Sequence, residues 1–317
     1  MSIKSKILSL IGARWIGAPL RFVGAMTRRR SHITGLINPF HVSSTTVENA
    51  GAHYIAYPNS YLAEAVGFKG AMRFPPDEFE PEVSFLAEKL IRENDVVLDI
   101  GANAGLHTVT FARATNAGHV YAFEPVAEMV ERLSENCALN RVENVTIIRC
   151  ALGARSEMLE MDVNVSGVGL EGTSSLAQSF HVEDHPENYE GRTVPVRRLD
   201  DIIEKLKIDQ RIAFVKIDTE GFETYVIEGG MKTLEKHRPA MIVEAHSRRL
   251  AKAGKSFQWY LDTFADYHIF VMPAVDRANP YFRLVPLTAE QPEIAVNLLL
   301  LPRSLAEIDV ELDTRDT

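Results

Sequence analysis

Three carboxylates close an apolar run in FVKIDTEGFETYVIEGG, residues 214–230. Phe214 and Val215 lead through Lys216 and Ile217 into Asp218, Glu220 and Glu223. Acids crowded at the end of a buried strand raise one another's pKa, which suits a general base working near neutrality. If the strand continues, its period-two alternation puts Asp218 and Glu220 on one side. Asp218 also fits as the cap of a helix starting near Gly221, and Glu220 as part of the loop architecture. Glu223 fits the first turn of that helix, where the dipole favours an acid, and reads as the structural carboxylate. The neighbouring apolar segment, 239–246, ends in Glu244, Ala245 and His246. His246 has two readings. It is the base itself, or it joins Asp218, Glu220 and Glu244 around a divalent cation that holds a substrate diol. Nothing in the spacing demands the cation, so no residue is assigned as a metal ligand.

A second group lies upstream. DIGANAG places Asp99, Gly101, Asn103 and Gly105 at a tight strand-to-helix turn. Glycine there permits unusual dihedrals and a close backbone approach to a ligand. The G-x-G-x-x-G of a dinucleotide site and the Walker G-x-x-x-x-G-K-[ST] are both absent, so the turn suits a nucleoside-like ligand without phosphate. Glu124 closes the next apolar run, twenty-five positions after Asp99. An acid there can accept hydrogen bonds from both ribose hydroxyls. S-adenosylmethionine meets these terms: ribose, adenine, an amino-acid tail and no phosphate. Ala151, at the end of a third run, joins the cofactor set. His107, just after the turn, reads either as lining that pocket or as a surface residue.

Such groups need a scaffold that brings strand ends together. Apolar runs at 95–102, 119–125, 144–153, 211–218 and 239–246 alternate with helical patterns at 105–115, 126–140 and 221–236. A further helix is expected over 81–94, another over 257–267, and strands over 268–273, 281–287 and 296–302. Alternating strands and helices imply an α/β fold with a mostly parallel sheet covered on both faces. The last strands close it with an antiparallel edge. In such sheets ligands bind at the carboxyl ends of the strands, which is where all the residues above fall.

The remainder of the chain divides around this domain. Residues 1–30 hold seven Lys and Arg and no acid, interleaved with apolar residues. They read as a basic amphipathic arm, able to lie on an anionic membrane surface or to pack locally. Arg14 and Arg21 interrupt every long apolar run, which argues against a spanning helix. Residues 31–80 form an irregular extension and a candidate substrate-side cap. The domain proper covers 81–303, with an insertion at 153–211 read as a substrate loop carrying two extra strands. An acidic tail, 304–317, follows. The 317-residue chain carries a formal net charge of −9, which excludes a general nucleic-acid binder. Its two cysteines, Cys137 and Cys150, make neither a disulfide framework nor a zinc site and imply a reducing, cytoplasmic setting.

Together VVLDIGANAGLHT, VYAFEP, LSENCALN, VKIDTEGFETYVIEGG and RPAMIVEAH resemble the successive blocks of the FkbM family of S-adenosylmethionine-dependent methyltransferases. The KIDTEG-x-E block is the specific one, and GTSSL and VPVRRLDD also look like family features. The resemblance runs from about residue 85 to about residue 302. It implies a doubly wound, Rossmann-like class I sheet of seven strands. It also implies methylation of a hydroxyl on a sugar, glycolipid or other small-molecule or glycan acceptor. The resemblance carries the cofactor role onto Asp99, Gly101, Asn103, Gly105 and Glu124; Ala151 joins them by its strand-end position, and the catalytic role of Asp218, Glu220 and His246 rests on the strand-end chemistry above. N-methylation by the same fold and a cofactor-binding module without turnover are the alternatives. An NAD-dependent dehydrogenase is disfavoured by the missing G-x-G-x-x-G.

Overall fold

A computed structural model describes residues 45–49, 51–56, 80–165, 174–176, 185–272, 284–289 and 295–303. The arm 1–30, the tail beyond 303 and most of 31–80 lie outside the described residues. Within the extension an antiparallel hairpin appears where the sequence reads as irregular, Thr45–Asn49 (β1) and Ala52–Ala56 (β2). It docks on the main domain through Tyr54, whose hydroxyl donates to Leu106 O at 3.0 Å.

The helix Pro81–Leu90 (α1) opens on proline, whose fixed φ suits a first turn. Then strand and helix alternate: Val96–Ile100 (β3), Leu106–Thr115 (α2), His119–Phe123 (β4), Ala127–Leu139 (α3) and Val145–Ile148 (β5). The expected third strand, 144–153, is not continuous. Cys150 N donates to Ile148 O at 2.9 Å, a tight turn that carries the chain out of the sheet. Ala151–Leu152 (β6) therefore belongs to a second sheet, with Glu157–Asn164 (β7) and Tyr189–Arg197 (β8), in the order β6-β8-β7. These are the extra strands expected of the insertion. Its helix Leu199–Leu206 (α4) is a further finding.

The second half supplies Ile212–Ile217 (β9), Glu223–His237 (α5), Ala240–His246 (β10), Ser247–Lys252 (α6), Phe257–Thr263 (α7), Tyr267–Met272 (β11), Val285–Pro286 (β12) and Ala295–Pro302 (β13). The main sheet runs β12-β11-β13-β10-β9-β3-β4-β5. Pairs from β10 to β5 are parallel, and β13, β11 and β12 add antiparallel partners at the far edge. This is the doubly wound sheet of seven strands with an antiparallel C-terminal edge, extended by the two-residue β12.

Side chains alternate across it. Leu98, Ile100, Val215 and Ile217 enter one apolar cluster with α5 residues Val226 and Ile227. Val97 and Phe214 enter the opposite cluster with Leu86 and Phe111 of α1 and α2. Asp99 and Lys216, register partners on β3 and β9, share the parity of Val97 and Phe214. A carboxylate and an ammonium are thus buried side by side on an otherwise apolar face. Chain order reverses between β3 and β9, the switch point at which open α/β sheets bind ligands. Among the described residues no helix is long and apolar enough to cross a membrane.

Candidate active site

One cleft opens at that switch point. Gly101, Asn103, Glu124 and Ala151 line it from one side, Asp218 and Glu220 from the other. Met129, Met161, Leu152 and Phe222 supply apolar wall.

On the first side Glu124 is the hub. Its carboxylate accepts Asn103 N at 2.9 Å and Val126 N at 2.8 Å, so it ties the β3–α2 turn to the β4–α3 turn. Each oxygen retains a second acceptor site. Burial pushes the Glu124 carboxyl up to about 7, against the pull of the two backbone hydrogen bonds. The glycines serve the protein's own packing. Gly101 takes φ 85°, and a Cβ there would fall 1.7 Å from Asp218 O. Gly105 takes φ 87°, and its Cβ would fall 2.2 Å from Leu133 Cδ1. The first glycine lets the two halves of the site touch. The second seats α3 against the turn and does not line the cleft. Asp99 also stands behind the lining, with its carboxylate accepting Thr108 Oγ1 at 2.5 Å. Burial raises its pKa and the nearby Lys216 opposes that rise.

The second side is assembled by charge. Strand β9 stops at Ile217, so alternation does not carry Glu220 to the side of Asp218. A left-handed turn at Glu220, φ 56°, does so instead. Asp218 does not cap α5, which begins at Glu223 with Phe222 in the cap position. Its Oδ2 accepts Lys216 Nζ at 2.6 Å. Glu223 instead braces the turn that precedes the helix: its Oε1 accepts Thr219 N and Gly221 N, each at 2.9 Å, and Thr219 Oγ1 at 3.1 Å. The structural reading of Glu223 therefore has a geometric basis.

Carboxylate oxygens of Asp218, Glu220 and Glu244 lie within 4.8 Å of one another. Their charge is answered from within the chain, so the cluster by itself does not call for a cation. Arg249 donates from Nη1 to Glu244 at 2.9 Å and from Nη2 to Glu220. Burial raises Glu220 to about 7, with Asp218 and Glu223 adding to the rise and Arg249 opposing it. Glu244 rises well above the usual carboxylate range through burial and the same acidic neighbours. His246 stands outside this trio. Its Nδ1 accepts Arg248 N at 3.1 Å, capping α6.

Two cations of this site escape the sequence reading. Lys216 is 2% exposed. Burial alone would strip its proton, but Asp218, Glu80 and Asp99 hold it charged, above its ordinary value. A lysine inside a six-residue apolar strand was the available signal, because a fully buried lysine is almost always paired. Arg249 gives no such signal: it sits in an ordinary Ser-Arg-Arg segment. Glu80 extends the network. It accepts His107 Nε2 at 2.7 Å and Asn297 Nδ2 at 3.3 Å. Burial would raise its carboxyl, yet Lys216 and His107 bring it down to about 2. His107 is thus neither a surface residue nor part of the cleft lining.

Residues 99–271 match the model of the Methyltransferase FkbM domain. The hexuronic acid methyltransferase AglP of Haloferax volcanii is 28% identical over 169 residues, covering 53% of this chain and 63% of that protein. Methyltransferase 1 of Beauveria bassiana is 26% identical over 147 residues, covering 43% and 59%. The 2-O-methyltransferase NoeI of Sinorhizobium fredii is 26% identical over 155 residues, covering 47% and 63%. Each match spans less than two thirds of the relative's length.

Proposed function

The chain belongs to the FkbM methyltransferase family, and from that premise we propose that it transfers a methyl group from S-adenosylmethionine to a hydroxyl of a sugar or sugar-like acceptor. The observation that carries this reading is that Glu124 and the Asp218–Glu220 pair line one cleft, joined where Gly101 meets Asp218. A polar anchor stands at one end and a candidate base at the other.

The residues present fit the cofactor. Glu124 keeps free acceptor sites for a ribose diol, and the apolar side chains of Met129, Leu152 and Phe222 suit an adenine face. When bound, S-adenosylmethionine supplies an electrophilic methyl group on a sulfonium. The chain's own part is alignment and proton removal. Asp218, fixed by Lys216, orients the acceptor hydroxyl. Glu220, held near neutrality by burial, takes its proton as oxygen attacks in line. A sugar-like acceptor agrees with the names of two relatives, a hexuronic acid methyltransferase and a 2-O-methyltransferase, and the second specifies transfer to oxygen. The test is transfer of labelled methyl from S-adenosylmethionine to a panel of neutral sugars, uronic acids, glycolipids and amines. Label in a hydroxyl acceptor is expected. Label confined to amines would overturn the reading.

Residues 1–30, with their uncompensated basic charge, are proposed to rest on an anionic membrane surface and bring the site to a lipid-linked acceptor. Co-sedimentation with anionic liposomes should be lost when they are removed. Equal, negligible pelleting of both forms would refute the idea.

A further inference from the structure

Among the described residues, the insertion meets the acids at a short segment, Ser174–Leu176. That segment is fixed to strand β7. Ser175 N donates to Asp162 O and Asp162 N donates to Ser175 O, each at 3.0 Å. Ser174 Oγ accepts Asn164 N at 3.0 Å. Leu176 packs on the apolar cluster of Val126, Met129, Met161 and Val163. From this base the buried Ser175 hydroxyl donates to Glu220 O at 2.7 Å.

The acceptor of that bond matters. Glu220 takes φ 56°, a conformation that a side chain with a β-carbon disfavours and that persists only when its surroundings enforce it. The peptide joining Glu220 to Gly221 is gripped at both ends. Its carbonyl takes the Ser175 hydroxyl, and its N–H gives to Glu223 Oε1 at 2.9 Å. The Glu220 side chain is held separately by Arg249. Glu223 and Arg249 belong to the core fold, whereas Ser175 comes from the insertion. We infer that Ser175 is a positioning residue: its hydroxyl sets the backbone of Glu220, and so the aim of the Glu220 carboxylate. The inference rests on the reading of Glu220 as the base.

The experiment compares the full chain with Ser175→Ala and Ser175→Thr. Amide exchange is followed across 218–223, with the β3 and β4 strands as internal controls. Methyl transfer and S-adenosylhomocysteine affinity are measured on the same samples. Ser175→Ala should speed exchange at 219–222 by about fivefold and leave the control strands unchanged. It should lower kcat by about tenfold, the scale of one lost hydrogen bond, with KM and S-adenosylhomocysteine affinity within about twofold. Ser175→Thr, which keeps the hydroxyl, should restore both. Unchanged exchange at 219–222 in Ser175→Ala overturns the inference, and so does a loss that threonine fails to rescue. Failure of the methyltransferase reading is separately visible: wild-type protein would not bind S-adenosylhomocysteine, while the exchange arm would still report on Ser175.

Discussion

The two sides of the cleft are built on opposite principles. Around Glu124 the structure uses backbone amides, glycine dihedrals and close packing. Around Asp218 and Glu220 it uses buried charge against buried charge. The first side depends on residues a few positions apart in two turns. The second draws on Glu80, Lys216, Asp218, Glu220, Glu244 and Arg249, contributed by distant segments. A ligand that must be held the same way each time suits backbone geometry. A proton that must move suits carboxylates whose ionisation is set by their neighbours.

The contrast breaks most visibly at Lys216. Lys216→Met leaves Asp218, Asp99 and Glu80 around one missing cation, and breaking a buried pair this way costs about 3–5 kcal/mol. Glu124→Gln, the matching change on the other side, should cost about 1 kcal/mol. Urea unfolding of both variants reads the difference. Equal losses would mean that charge is no more structural on one side than on the other.

Chemistry sharpens the contrast next. Glu220→Gln should lower kcat by about 10²-fold, the scale of one general base. Wild-type kcat should rise as pH passes about 7, where Glu220 ionises, and the variant should lose that rise.

The last readout is the slope of stability against pH. Glu124 and Glu220 both have folded values near 7, raised from 4.5, so each binds its proton more tightly when folded. Their contribution is complete below pH 4.5 and is lost as pH rises through about 7. Glu80 has the opposite sign. Held at about 2, it contributes above pH 4.5, and that share disappears as pH falls through about 2. Denaturation midpoints across this range should fall less steeply toward alkaline pH in Glu124→Gln. An identical slope would remove Glu124 from the account.

The same contrast explains what the sequence discloses. Strand and helix order was legible because each buried strand is a short apolar run and each helix has its own periodicity. On the Glu124 side, the convergence of Gly101, Asn103, Glu124 and Ala151 was legible because they sit at strand ends and turns, whereas the places of Asp99 and Gly105 behind the lining depend on Thr108 and Leu133. The split of 144–153 was not legible, since only a turn at Cys150 and pairing with the distant β8 divide that run. Nor was the bracing of the loop ahead of α5: Asp218 has the residue type of a cap, but Lys216 claims it, and the loop amides of Thr219 and Gly221 go to Glu223. Arg249 reaches the acids, and Glu80 reaches Lys216, only through tertiary interactions, and no local pattern announces that. His107 looked ambiguous because its partner lies 27 residues upstream.

The most direct test is calorimetric titration of S-adenosylhomocysteine into wild-type protein, Glu124→Ala and Glu220→Gln. The account predicts saturable binding to wild type, at least about tenfold weaker binding to Glu124→Ala, and affinity within about twofold for Glu220→Gln. Wild-type protein that is folded yet does not bind would contradict it, as would equal weakening in both variants.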